Sequence, residues 1–148
     1  MKTIPEIMQL IRQLDTHIAD DFEGQDLDFK QWSTRALEDN LNKMIHYAVC
    51  LTNGGGGCVV FGVADKVKGY DKTILGVPEN LDLEMLTKTV YAETVPPITP
   101  RFDEVRVCHG TGMLLIMTVG PSEAIHSTAD GKSVQRNGKE CLPIADHE

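Results

Sequence analysis

Aromatic residues are scarce in this chain, 5 % with a single tryptophan, which argues against recognition of unpaired strands by stacking base after base on side-chain rings. Four cysteines and five histidines contain no Cys-x-x-Cys, no His-x-x-x-His and no Cys/His cluster, so a zinc site is not expected. Cys50, Cys58, Cys108 and Cys141, three of them in apolar surroundings, are expected to be reduced and mostly buried thiols rather than disulfides. No apolar run approaches the length of a membrane span, and the first residues lack the basic-then-apolar order of a secretion signal. A soluble, cytoplasmic protein without a membrane partner is expected. Positive charge is short as well: 14 Lys and Arg against 22 Asp and Glu give a net charge of -8, which opposes general affinity for nucleic acid.

The distribution of charge softens that objection. Residues 1–30 hold seven acids (Glu6, Asp15, Asp20, Asp21, Glu23, Asp26, Asp28) and three bases (Lys2, Arg12, Lys30), half of the net charge. Two later segments lean basic, Lys66, Lys68 and Lys72 in one and Lys132, Arg136 and Lys139 in the other. Folding can therefore give the molecule faces of opposite sign.

What is present is a run of four glycines, Gly54 to Gly57, after Thr52-Asn53 and before the apolar Cys58 to Val63. A phosphate-cradling loop would need a lysine after its last glycine and a helix after that, whereas these glycines precede a strand. Dinucleotide-fingerprint spacing fails too. The commoner use of such a run is a helix C-cap combined with tight helix-to-strand packing. The strand that follows reads as buried on both faces and carries Asp65 just past its C-terminal end.

At 148 residues the chain fits one domain. Ile4, Ile7, Met8, Ile11, Leu14 and Ile18 recur at helical spacing and predict an amphipathic helix from about Pro5 to Ala19. Leu27-Asp28-Phe29-Lys30 alternates as a short strand, with Asp28 and Lys30 pointing the same way. A second helix through Leu37, Leu41, Met44, Ile45, Ala48 and Val49 ends at Asn53-Gly54. Ile74 to Val77 reads as a returning strand, and Asp82 as the N-cap of a third helix that Val95-Pro96-Pro97 terminates. Phe102–Cys108 and Met113–Val119 form a hairpin across His109-Gly110-Thr111-Gly112, and Lys132–Asn137 a short polar strand. The expected class is α+β, a single mixed sheet with about three helices packed on it.

These pieces, in this order, resemble the Schlafen AlbA-like domain, a family found in bacterial transcriptional regulators and described as DNA-binding. The resemblance rests on Glu23, Leu27-Asp28-Phe29-Lys30, Asn53 with Gly54-Gly55-Gly56-Gly57, Val59-Val60-Phe61-Gly62-Val63-Ala64-Asp65 and Arg136-Asn137-Gly138, and spans residues 20–145. It divides the chain into an N-terminal helix (1–19), the family domain (20–145) and a tail (146–148), after which helix-turn-helix or ATPase-like modules often follow in the family. Asp28 stands where glutamate is common, and four glycines replace the usual pair.

The resemblance implies a nucleic-acid-binding module, DNA before RNA; the charge pattern itself offers Lys30, Lys66, Lys68, Lys72, Lys132, Arg136 and Lys139 as phosphate contacts, and Asn53 with Gly54 to Gly57 reads as a structural loop. The alternative is a divalent-metal-dependent nuclease on structured RNA, as in some eukaryotic relatives, with Glu23, Asp28 and Asp65 holding Mg²⁺ or Mn²⁺. A third account makes the acidic first helix a docking or homodimerisation surface. A serine or cysteine hydrolase is not expected, because no serine or cysteine lies in a nucleophile elbow and His126 reads as a surface-loop histidine.

Overall fold

The computed structural model describes residues 1–108, 110 and 112–144. Its centre is a four-stranded mixed sheet in the order β1-β2-β5-β4, formed by β1 (Leu27–Lys30), β2 (Gly57–Phe61), β4 (Arg101–Arg106) and β5 (Met113–Val119). β1 runs parallel to β2, with Asp28 opposite Val59, while β5 is antiparallel to both β2 and β4. β2 is buried along its whole length, and successive residues pack on opposite faces. Val59 and Phe61 join Leu115, Met117 and Val119 under α2 (Leu37–Asn53) and α4 (Leu83–Ala92), whereas Cys58 and Val60 join Leu114 and Ile116 under α1 (Ile4–Ile11). The fold is thus α+β, with the mixed sheet between two apolar layers.

Local signals account for the helix ends. Thr3 and Glu6 form a capping box around Pro5 at the start of α1, and Asp82 Oδ1 accepts from the Met85 N–H, 3.0 Å, to start α4. α2 has no side-chain cap at Ala36. Its approach is fixed instead by Asn40, whose amide accepts from the Ser33 N–H at 2.8 Å and donates to the Ser33 carbonyl at 3.0 Å.

Several expectations need correction. The first helix stops at Ile11, and the chain continues in turns to a 3₁₀ segment, Ala19–Phe22. Ile74 makes only a single bridge, to Val63, and the preceding Tyr70–Thr73 forms a one-turn helix, α3, so the returning strand is reduced to one residue. Two small antiparallel sheets supplement the main one: β3 (Thr94–Val95) with β6 (Ser127–Thr128), and β7 (Val134–Asn137) with β8 (Glu140–Pro143). His109 and Thr111 of the predicted turn, and 145–148 including the tail, lie outside the described residues.

The cysteine expectation is overturned for one pair. Cys50 of α2 and Cys141 of β8 form a disulfide, Cα–Cα 5.7 Å, while Cys58 is a buried thiol and Cys108 an exposed one. A sequence separation of 91 leaves no spacing signal for such a pairing. His126 is also not a surface histidine: it is buried, its Nδ1 lies 2.7 Å from the Pro96 carbonyl and its Nε2 2.9 Å from Ser122 Oγ, tying two loops together.

Among the described residues no helix is long and apolar enough to cross a membrane.

Candidate nucleic-acid interface

β1 ends in Lys30, α2 presents the polar face Asn42-Lys43-His46-Tyr47, and β2 leads into Ala64-Asp65-Lys66-Val67. Between these three elements lies an open groove of about 730 Å³. Lys30, Lys43 and Lys66 border it, with Asp65 as the one acid on its wall. Asn42 and His46 also border a second depression, of about 660 Å³, which reaches Lys132. The two hollows share Asn42 and His46, but the second is lined by the acids Glu93 and Asp130, the latter 3.8 Å from Lys132 Nζ, so the cationic strip is confined to the first groove, along Lys66, Lys30 and Lys43.

The charges inside this strip are tuned. Loss of water works against the Lys30 ammonium, but Asp28 and Tyr47 outweigh it and raise its pKa to about 12. Lys30 Nζ also sits 4.9 Å over the Tyr47 ring. Burial of the His46 ring, then the charge of Lys30, lower its pKa, with Asp28 opposing and Lys132 adding to the effect, so the ring stays neutral to a lower pH than usual. His46 and Tyr47 meet edge to face, 5.0 Å between centroids.

Behind the groove are the acids. The 3₁₀ segment is held to the loop after β2 by the Asp20 N–H donating to the Asp65 carbonyl, 2.8 Å. This brings one carboxylate oxygen each from Asp20, Glu23 and Asp65 within 4.8 Å of one another. Glu23 Oε2 accepts from the Phe29 N–H at 2.8 Å, yet burial, followed by the neighbouring Asp28, raises its carboxyl to about 8. Asp20 is engaged by Lys139 at 3.2 Å, which holds its carboxyl below the usual value. Three hard oxygen donors at this spacing are of the kind that Mg²⁺ or Mn²⁺ takes, and a bound cation would displace the proton that burial keeps on Glu23.

Asp28 does not stand in that set. Its Oδ2 accepts from Arg136 Nη1 at 2.7 Å, and its Oδ1 lies 3.3 Å from Lys30 Nζ without hydrogen-bond geometry to any partner. The alternation of β1 does put Asp28 and Lys30 on one side, as expected. Arg136 is the largest fully buried side chain: besides Asp28 it donates to the Gly24 carbonyl at 2.9 Å and the Leu27 carbonyl at 3.0 Å. Such a guanidinium is not available to a phosphate.

The other sequence-predicted residues separate. Lys30 and Lys66 border the strip, Lys132 pairs with Asp130 at 3.8 Å in the second hollow, Lys139 faces the acids, and Lys68 and Lys72 are exposed beyond the groove. Asn53 is a structural junction: its amide donates to the His126 and Val134 carbonyls and accepts from the His126 N–H, all within 2.9 Å. The glycines are explained by packing, since a Cβ on Gly54 would lie 2.6 Å from Arg136 Cβ and one on Gly57 2.7 Å from the Asp26 carbonyl oxygen. Residues missed from sequence are Asp20, Lys43, His46 and Tyr47. The polar face of an amphipathic α2 carried the signal for the last three; one acid in an acidic run gave none for Asp20.

Comparison with known proteins agrees with this architecture. No curated protein matches the chain. A crystal structure of the DIP2311 protein from Corynebacterium diphtheriae is similar, with a TM-score of 0.65 and 21 % identity over 81 % of this chain. The chain spans only 25 % of that protein, and at such identity the likeness concerns the fold alone. The family model described as Schlafen, AlbA_2 matches residues 23–145, most of the length, and takes in β1, the glycine run, Asp65 and Arg136; the chain belongs to that family.

Proposed function

We propose that this chain is a nucleic-acid-binding module, of the kind used by bacterial DNA-binding regulators, and that it grips the phosphate backbone along the groove bordered by Lys66, Lys30 and Lys43. The observation that carries this reading is the gathering of Lys30, Lys43 and Lys66, from three separate elements, around one groove in a molecule of net charge -8. Three lysines against the single acid Asp65 on the wall make the groove locally positive, and salt screens the acids more than about 10 Å away. Phosphate contacts of this type position a strand without reading its bases. The test is a titration of labelled duplex DNA and hairpin RNA at 50 and 200 mM salt. Two to four phosphate contacts give an affinity that falls by roughly ten- to a hundredfold across that range. Salt-independent or undetectable binding at micromolar protein contradicts the proposal.

A second reading, cleavage of structured RNA, is favoured by one observation: the Asp20, Glu23 and Asp65 carboxylates adjoin the same groove through Asp65. A divalent ion held there would supply Lewis acidity and an activated water for phosphodiester hydrolysis. The chain's own part is to hold those carboxylates together through the Asp20–Asp65 backbone bond and to seat the strand on Lys30 and Lys66. Incubation with tRNA and Mn²⁺ tests it. Asp20→Asn and Asp65→Asn are each expected to abolish cutting; activity that survives both contradicts the reading.

A further inference from the structure

The β7–β8 hairpin lies outside the central sheet, packs on α2 through β7 and is joined to the rest of the fold by several ties, among them hydrogen bonds from Asn53 and Gln25 to the Val134 and Arg136 carbonyls. One is covalent, Cys50–Cys141. Across the hairpin Cys141 is directly opposite Arg136. Residues opposed on an antiparallel pair project their side chains from the same face, so the bridge and the guanidinium leave one rung of the ladder side by side. From that rung Arg136 reaches Gly24, Leu27 and Asp28, fixing the segment that leads from Glu23 into β1. A two-stranded ribbon has little stability of its own, so its seating depends on what pins it.

We infer that the Cys50–Cys141 bridge is a site of thiol–disulfide exchange with a dithiol, and that opening it unpins the rung that seats Arg136 against Asp28. Cys50 is wholly buried and Cys141 is partly exposed, so the attack falls on the Cys141 sulfur. A thiolate of the dithiol forms a mixed disulfide there and expels Cys50 as a thiolate, which takes up a proton. The second thiol of the reagent then attacks its own mixed-disulfide sulfur and releases Cys141. Two electrons pass to the protein, the dithiol leaves as a cyclic disulfide, and its oxidised form reverses the sequence. This inference does not depend on nucleic-acid binding.

Amide hydrogen exchange on the full chain, with and without dithiothreitol, tests it, alongside alkylation of free thiols in denaturant. Before reduction two of the four cysteines alkylate, and after it all four. Reduction is expected to speed exchange at least tenfold in peptides covering 134–143 and 24–30, and to leave β2 and β5 protected. The Cys50→Ser/Cys141→Ser double variant is expected to show the reduced pattern at once and to ignore dithiothreitol. Four reactive cysteines before reduction, exchange at 24–30 that changes less than twofold, or loss of protection throughout the sheet each overturns the inference; the wild-type comparison decides even if the double variant fails to fold.

Discussion

Arg136 and Asp28 set the terms at the level of single residues. Their ion pair is sealed from solvent, with side-chain exposures of 0 % and 3 %. Removing one partner of such a pair costs about 3–5 kcal/mol, because the other charge is stranded, whereas an exposed pair such as Lys88–Glu84 is worth well under about 1 kcal/mol. Arg136→Met is therefore expected to lower stability by about 3–5 kcal/mol and Lys88→Ala by less than about 1, read from urea denaturation midpoints. Equal losses would contradict the assignment. Glu23 gives a second test. Its folded pKa of about 8 lies above the ordinary 4.5, so its contribution to stability is complete below about pH 4.5 and is lost as pH rises through about 8. Glu23→Gln, uncharged throughout, is expected to flatten the fall in Tm between pH 5 and pH 8. Mn²⁺ is expected to raise the wild-type Tm more at pH 8 than at pH 6, since protons compete for the same carboxyl. An unchanged pH slope in the variant would contradict the burial of Glu23.

The glycine run is where the elements were easiest to read and easiest to misread. Its place between α2 and β2 was legible because glycine at a helix C-terminus and an apolar run after it are both local signals. Its cause was not, because the atoms that forbid a side chain, the Arg136 backbone and the Asp26 carbonyl, come from distant parts of the chain. The positions separate by mechanism. Gly55 has open space but φ +106°, so Gly55→Ala is expected to cost about 1 kcal/mol of backbone strain. Gly57→Ala drives a Cβ against backbone at 2.7 Å and is expected to cost several times that, by the same denaturation measurement. A reversed order would contradict the packing explanation. α1 shows the opposite failure: apolar periodicity continues to Ile18 while the helix ends at Ile11, because Leu14 from a turn and Ala19 from the 3₁₀ segment bury their side chains equally well. Periodicity reports which residues face the core, not how the backbone gets them there.

For the whole molecule, the class, the central sheet and the family were legible, since alternation in β1, continuous burial in β2 and β5 and the Asp82 cap of α4 are written within a few residues. The ties that complete the site are not. Asp28 and Arg136 are 108 residues apart and Cys50 and Cys141 are 91 apart, and each type sits as readily on a surface as in a buried pair. Closing so long a loop stabilises the fold by about 4–5 kcal/mol in a chain-entropy account, so dithiothreitol is expected to lower Tm by about 15 °C in a domain of this size. A Tm unmoved by reductant would contradict the bridge. Charge behaves likewise: the net value of -8 is plain in the composition, but the cationic strip exists only after folding brings β1, α2 and the loop after β2 together. The most direct test compares two double variants with the same change in net charge, Lys43→Gln/Lys66→Gln on the groove and Lys68→Gln/Lys72→Gln beyond it, in a salt-titrated binding assay with duplex DNA and hairpin RNA. The groove pair is expected to weaken binding by on the order of tenfold or more and to reduce the salt slope by about 2, with the other pair close to wild type. Equal effects from both pairs would mean that net charge alone governs binding and that the groove is not the interface.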